Sequence, residues 1–177
     1  MKKALIASMP LLLIVGVFAL PVRADDTLAE FEGGIGVIPV SSGVGTGATV
    51  EVVNRNIVRG VQPAGQIWVI KKLEAEVKTN GEIKVEGEGL VLGGGNNIGR
   101  ATGQHVFATL ICEAAAPCTE RNSNPDGVPL EANGDFRIDD VLSPAPPESC
   151  ASPVLLIRNA AGSSWFAAGI LKSDDSH

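Results

Sequence analysis

Three cysteines carry the most accessible chemistry in this chain: Cys112, Cys118 and Cys150. A nucleophilic or metal-binding thiol needs a base or further ligands nearby, and only His105 and His177 exist, neither at ligand spacing. In an oxidising compartment two of the three are expected to pair and one thiol is left over. Cys112 ends an alternating apolar stretch that begins at His105, and Cys150 immediately precedes the apolar stretch Pro153 to Arg158. A Cys112–Cys150 bridge would staple those two strands; pairing of Cys118 with either partner is the alternative.

Other residue types that could do chemistry lack their usual surroundings. The glycine-rich runs Gly43-Val44-Gly45-Thr46-Gly47 and Gly93 to Gly99 suggest a phosphate cradle, yet neither opens a helix and neither contains Gly-Lys-Ser/Thr. They read as loops between strands. The second is a candidate ligand-facing loop, because Asn96, Asn97 and Arg100 add polar side chains. No Gly-x-Ser-x-Gly turn is present, and His105 lies in an apolar strand pattern, so it reads as structural. Glu86 and Glu88 share one face of a strand and Asp139 and Asp140 take opposite faces, the pattern of a solvated surface. Asp126 and Asp135 sit at turns without the alternating acidic loop that calcium favours. The sequence therefore assigns no catalytic residue, no cofactor and no metal site.

The elements that must position these residues begin with an address. Lys2 and Lys3, the apolar run Ala4 to Leu20, Pro21 and then Val22-Arg23-Ala24 follow the order of a secretory signal, with cleavage expected after Ala24. Pro10 and Pro21 argue against a retained membrane helix, so no membrane contact is expected after cleavage. Without Lys2, Lys3 and Arg23, 11 of the 14 basic residues face 20 acidic ones, a formal charge of −9. Such a chain has no basic stripe for nucleic acid.

Residues 25–32 are acidic and expected to be flexible, 33–172 form one domain, and 173–177 read as a flexible tail. Short Val/Ile-rich runs separated by Gly, Pro, Asn and Ser predict an all-β fold. Strands are expected over 34–40, 49–54, 66–78, 82–92, 105–112, 128–130, 135–142, 153–158 and 164–171. The proline-rich stretch Ser143 to Cys150 is expected to cross between layers, giving an antiparallel β-sandwich, with a flattened β-barrel as the alternative. The large side chains of Val154-Leu155-Leu156-Ile157 and Trp165-Phe166 read as core.

Alternation also selects turn geometry. A three-residue loop Thr79-Asn80-Gly81, with Gly81 left-handed, pairs Val77 with Ile83, Glu76 with Lys84 and Lys78 with Glu82. A two-residue loop would instead mix apolar and charged faces. The same reasoning at Ala132-Asn133-Gly134 makes Gly134 left-handed and pairs Leu130 with Phe136 and Val128 with Ile138. The related strings Asn80 to Glu86 and Asn133 to Asp139 read as two hairpins that each have one solvated face, with an internal duplication as the alternative.

The blocks NIVRGVQPAGQIWVI (Asn56 to Ile70), GEGLVLGGGNNIGR (Gly87 to Arg100), VPLEANGDFRIDDVLSPAPPESC (Val128 to Cys150) and PVLLIRNAAGSSWFAAGI (Pro153 to Ile170) resemble a group of small exported bacterial proteins of unknown function. In that group one cysteine on the central strand and one before the PVLLI-like strand recur, which implies the Cys112–Cys150 pairing and makes Cys118 an extra. The resemblance implies export and fold and carries no activity. The expected function is that of an exported, non-enzymatic module acting through a protein or matrix partner. A carrier for a small or lipid-like ligand is the alternative.

Overall fold

The computed structural model describes residues 26–44 and 51–173, and the side chains of 41–44 and 51–54 are outside the description. The signal segment, most of the Gly43–Gly47 run and the end of the tail lie outside the described residues.

Every element among the described residues is a strand. Eight of them, in the order β10 (Val128–Pro129), β8 (His105–Ile111), β12 (Val154–Asn159), β13 (Trp165–Leu171), β1 (Thr27–Gly36), β5 (Lys72–Lys78), β6 (Glu82–Glu88) and β11 (Phe136–Val141), form one antiparallel sheet. β9 (Arg121–Asn122) adds to β8. It then nearly closes the sheet on itself, because Asn122 and Ser143, just beyond β11, exchange both backbone hydrogen bonds at 2.9 and 2.8 Å. The all-β class is as expected, and the single curled sheet is the barrel arrangement of the two considered. Near-closure shortens the exposed edges that an open sheet would present.

The interior is packed with side chains. Leu73, Val77, Ile83, Val85, Leu90, Leu110, Leu155 and Ile157 are fully buried in one cluster. β12 is covered on both faces, since Leu155, Leu156 and Ile157 are all inaccessible.

The β5–β6 hairpin sets Val77 opposite Ile83 and Glu76 opposite Lys84, with Gly81 at φ +91° and Lys78 bonded to Glu82 at 3.1 Å. Its register continues past Lys72 and Glu88 into β4 (Trp68–Val69) and β7 (Val91–Leu92), where Val69 faces Val91 and Trp68 faces Leu92. The two long strands expected here are one bent hairpin. Both arms leave the main sheet at Ile70-Lys71 and at Gly89-Leu90, where Gly89 takes φ +67° and Leu90 N–H bonds to the Gly134 carbonyl.

Two expectations need correction. The segment expected to be flexible at 25–32 holds Thr27 to Glu32, the larger part of β1, which pairs with β5 and buries Ala29 and Phe31. Its charged residues take the solvent side of an alternating strand and its apolar ones the core side. The second hairpin closes only at its turn, where Glu131 N–H bonds to the Asp135 carbonyl and Gly134 has φ +88°. β10 then pairs with β8 and β11 with β6, so Leu130 directs its N–H to Gln104 and Ile138 faces Val85.

Candidate functional site

The bend at Ile70-Lys71 puts β4 and β7 across one end of the barrel. Trp68 buries its indole there, stacked on Phe166 with centroids 4.0 Å apart, and the Trp68 backbone N–H bonds to the Val37 carbonyl at 3.1 Å. Gly36 makes the approach possible, because β4 backbone occupies the space a side chain would need. With Trp68 turned inward, alternation turns Ile67 and Val69 outward. Both are exposed and both flank Gly93, where an added Cβ would lie 2.9 Å from each.

Neighbouring segments extend this surface. The loop after β7 is tied down by Gly93 N–H to Ile67 and Gly99 N–H to Leu92, and it presents Ile98 at 65% exposure. On the other side of β4, Ile35 and Ile38 are exposed on the stretch that includes Gly36 and Val37. Asn56 joins the next segment by bonding the carbonyls of Pro39 and Ile38, and beside it stand exposed Ile57 and Val40. Seven of the ten large exposed aliphatics among the described residues therefore belong to these linked segments. Such a concentration marks a contact surface more often than scattered single residues do.

From the same root rises a two-stranded ribbon, β2 (Val40–Val44) and β3 (Glu51–Arg55). Arg55 anchors it, donating to Gln62 Oε1 at 3.1 Å and to the Pro63 carbonyl at 3.0 Å. Among the described residues neither strand has a second neighbour.

Searched against protein-family models, curated proteins and solved structures, the chain matches none of them.

His177 lies outside the described residues, and the main described residues singled out in the sequence have these places. Cys112 and Cys150 form a disulfide, and Cys118 is free and half-buried beside Arg59, Gly60 and Glu120 in a shallow cleft. Asn96, Asn97 and Arg100 are exposed on the loop that carries Ile98, so they rim the aliphatic surface. His105 is exposed at the start of β8 rather than packed within it. Asp135 accepts the Gly89 N–H at 2.9 Å and Asp140 the Asn124 N–H at 2.6 Å, so these carboxylates pin turns. Among the described residues no group of three or more His, Cys, Asp or Glu is arranged to hold a metal ion.

Glu86 belongs to a charged face that crosses β1, β5, β6 and β11. Glu32, Glu74 and Glu86 stand in one cross-strand row, which like charges alone would destabilise. Basic partners offset it: Lys72 bonds Glu74 at 2.9 Å, Arg137 bonds Glu86 at 3.0 Å and Lys172 bonds Glu30 at 2.9 Å.

Sequence reasoning missed a buried polar layer outside β8 and β12. Arg158 lies over the Phe107 ring at 5.3 Å and donates to Glu120 at 2.6 Å and to the Ser163 carbonyl at 2.8 Å. Arg121, also buried, forms a two-pronged pair with Glu113. That guanidinium, with the Thr119 N–H, lowers the Glu113 carboxyl to about 2. The Arg158–Glu120 pair attaches segment 113–122 to β12, and the Arg121–Glu113 pair closes that segment on itself, both structural roles.

Proposed function

We propose that this chain is an exported, non-catalytic β-barrel module that works by binding another protein through its aliphatic end. The observation that carries the reading is the concentration of Ile35, Ile38, Val40, Ile57, Ile67, Val69 and Ile98 on linked segments at one end, between 41% and 65% exposed. The part of such side chains still in water gains from burial against a partner, roughly 25 cal/mol per Å² removed from water. Asn96, Asn97 and Arg100 supply a polar rim, the usual surround of an apolar interface centre. The Cys112–Cys150 disulfide is compatible with an oxidising location, and the resemblance to small exported proteins agrees with it.

A ligand carrier has less support, because the barrel interior is filled by the core side chains themselves. The test is affinity capture from the producing cell's extracytoplasmic fraction with three baits: wild type, Ile67→Glu/Ile98→Glu and the charged-face control Arg137→Glu. Wild type and the control should retain the same protein and the aliphatic variant should lose it. Equal capture by all three, or capture by none, would overturn the reading.

A further inference from the structure

We infer that the ribbon is a self-pairing device: β2 adds along its free edge to β2 of a second copy, antiparallel, making a four-stranded sheet that bridges two barrels. This deepens the proposed reading of the aliphatic end, and rests on it, by naming a second copy of the chain as one occupant of that surface.

Five observations converge on β2. Among the described residues its outer edge has no strand beside it, while its root is held by Arg55 and Asn56, so the strand is presented from a fixed base. Edges of this kind are normally guarded by lysine, proline or a bulge. The segment Val40-Ser41-Ser42-Gly43-Val44 contains none of these residues, and its pairing with β3 runs without a bulge.

Charge separates β2 from the rest of the surface. The chain has a formal charge of −6, which opposes self-association, yet β2 has no charged residue. β3 begins at Glu51 and ends at Arg55, so its edge is the poorer choice. The β2 segment is also self-complementary about Ser42. A two-fold axis there pairs Val40 with Val44 of the second copy and Ser41 with Gly43, placing apolar residues opposite each other at both ends.

The rim matches as well. Ile38, Val40 and Ile57 are exposed at the ribbon root, where a second barrel would approach. A two-stranded ribbon is marginal in isolation, whereas three or more strands with an apolar face are stable.

Sedimentation equilibrium of the purified, oxidised protein tests this register. Wild type should show twice the monomer mass and dissociate on dilution. Val40→Lys/Val44→Lys sets lysine against lysine across the axis and should halve the mass, even though it lowers the net negative charge. Val40→Glu/Val44→Lys sets acid against base across the same axis, and within each ribbon against Arg55 and Glu51, and should keep the dimer. Unchanged melting temperatures will show that the barrels are folded.

A monomeric wild type, a dimer that survives Val40→Lys/Val44→Lys, or loss of the dimer in both variants would overturn the inference. Sedimentation needs no foreign protein, so a monomer that still captures a partner overturns self-pairing alone. A dimer that captures nothing overturns the binding of a different protein alone.

Discussion

Gly36 on β1 and Trp68 on β4 meet without room for a methyl group: a Cβ on Gly36 would stand 2.1 Å from the Trp68 carbonyl oxygen and 2.7 Å from the Val69 Cα. The whole aliphatic end depends on this contact, because it lets β4 cross the barrel with Trp68 inward and Ile67 and Val69 outward. Gly36→Ala should therefore destabilise by about 2 kcal/mol or more, the scale of overpacking a filled core. Because Trp68 must move, its fluorescence should shift to the red, and an unchanged melt and spectrum would contradict the role given to Gly36.

The two turn glycines should differ in cost. Both have positive φ, which a β-branched residue resists. At Gly134 a Cβ would also lie 2.5 and 2.6 Å from the Leu90 carbonyl oxygen and nitrogen, whereas at Gly81 the nearest atom is Pro146 Cδ at 3.2 Å. Gly134→Val should lower the melting temperature clearly more than Gly81→Val, and thermal denaturation of the pair checks the order.

How much of this was legible in the sequence depends on the range of the cause. The β5–β6 register follows from local alternation, since one slip would place Val77 against a lysine. The bend at Ile70-Lys71 depends on a glycine more than thirty residues away and leaves no local mark. At Thr27 to Glu32 the period of two is present, with Ala29 and Phe31 alternating with Glu30 and Glu32, but the acidic residues suggest solvation more strongly than the two apolar ones suggest a strand. The aliphatic end is the least legible feature. Ile35, Ile67 and Val69 belong to runs that look like core, and only the three-dimensional path of β4 exposes them.

Acid should weaken the closure of segment 113–122, which the Glu113–Arg121 pair holds together near its two ends. The Glu113 carboxyl is lowered from 4.5 to about 2 by the Arg121 guanidinium and the Thr119 N–H, so the folded state favours its ionised form. A lowered folded-state value means that this stabilisation is fully present above about pH 4.5 and is lost as pH falls towards 2. Glu113→Gln should lower stability near neutral pH by about 1 to 3 kcal/mol by leaving buried Arg121 with a weaker partner, partial exposure of Glu113 keeping the figure modest. The variant's melting temperature should also fall less than wild type's between pH 5 and 2; parallel curves would contradict this assignment.

Removing the disulfide should cost more than any of these substitutions. Cys112 and Cys150 are 38 residues apart, and in the chain-entropy model a loop of that length contributes roughly 4 kcal/mol. Cys112→Ser/Cys150→Ser should unfold at clearly lower urea concentration than wild type, with Cys118→Ser close to wild type. The comparison also checks that Cys118 has no part in the bridge, since a shift in the single variant as large as in the double would contradict it.

The most direct test of the central claim is site-specific photocrosslinking in the producing cell, with a photoactivatable side chain at Ile98 on the aliphatic end or at Arg137 on the charged face. If the aliphatic end is the binding surface, irradiation at Ile98 yields an adduct of defined mass containing a second polypeptide, and Arg137 yields none. An adduct at Arg137 alone, equal adducts at both, or none at either would contradict it.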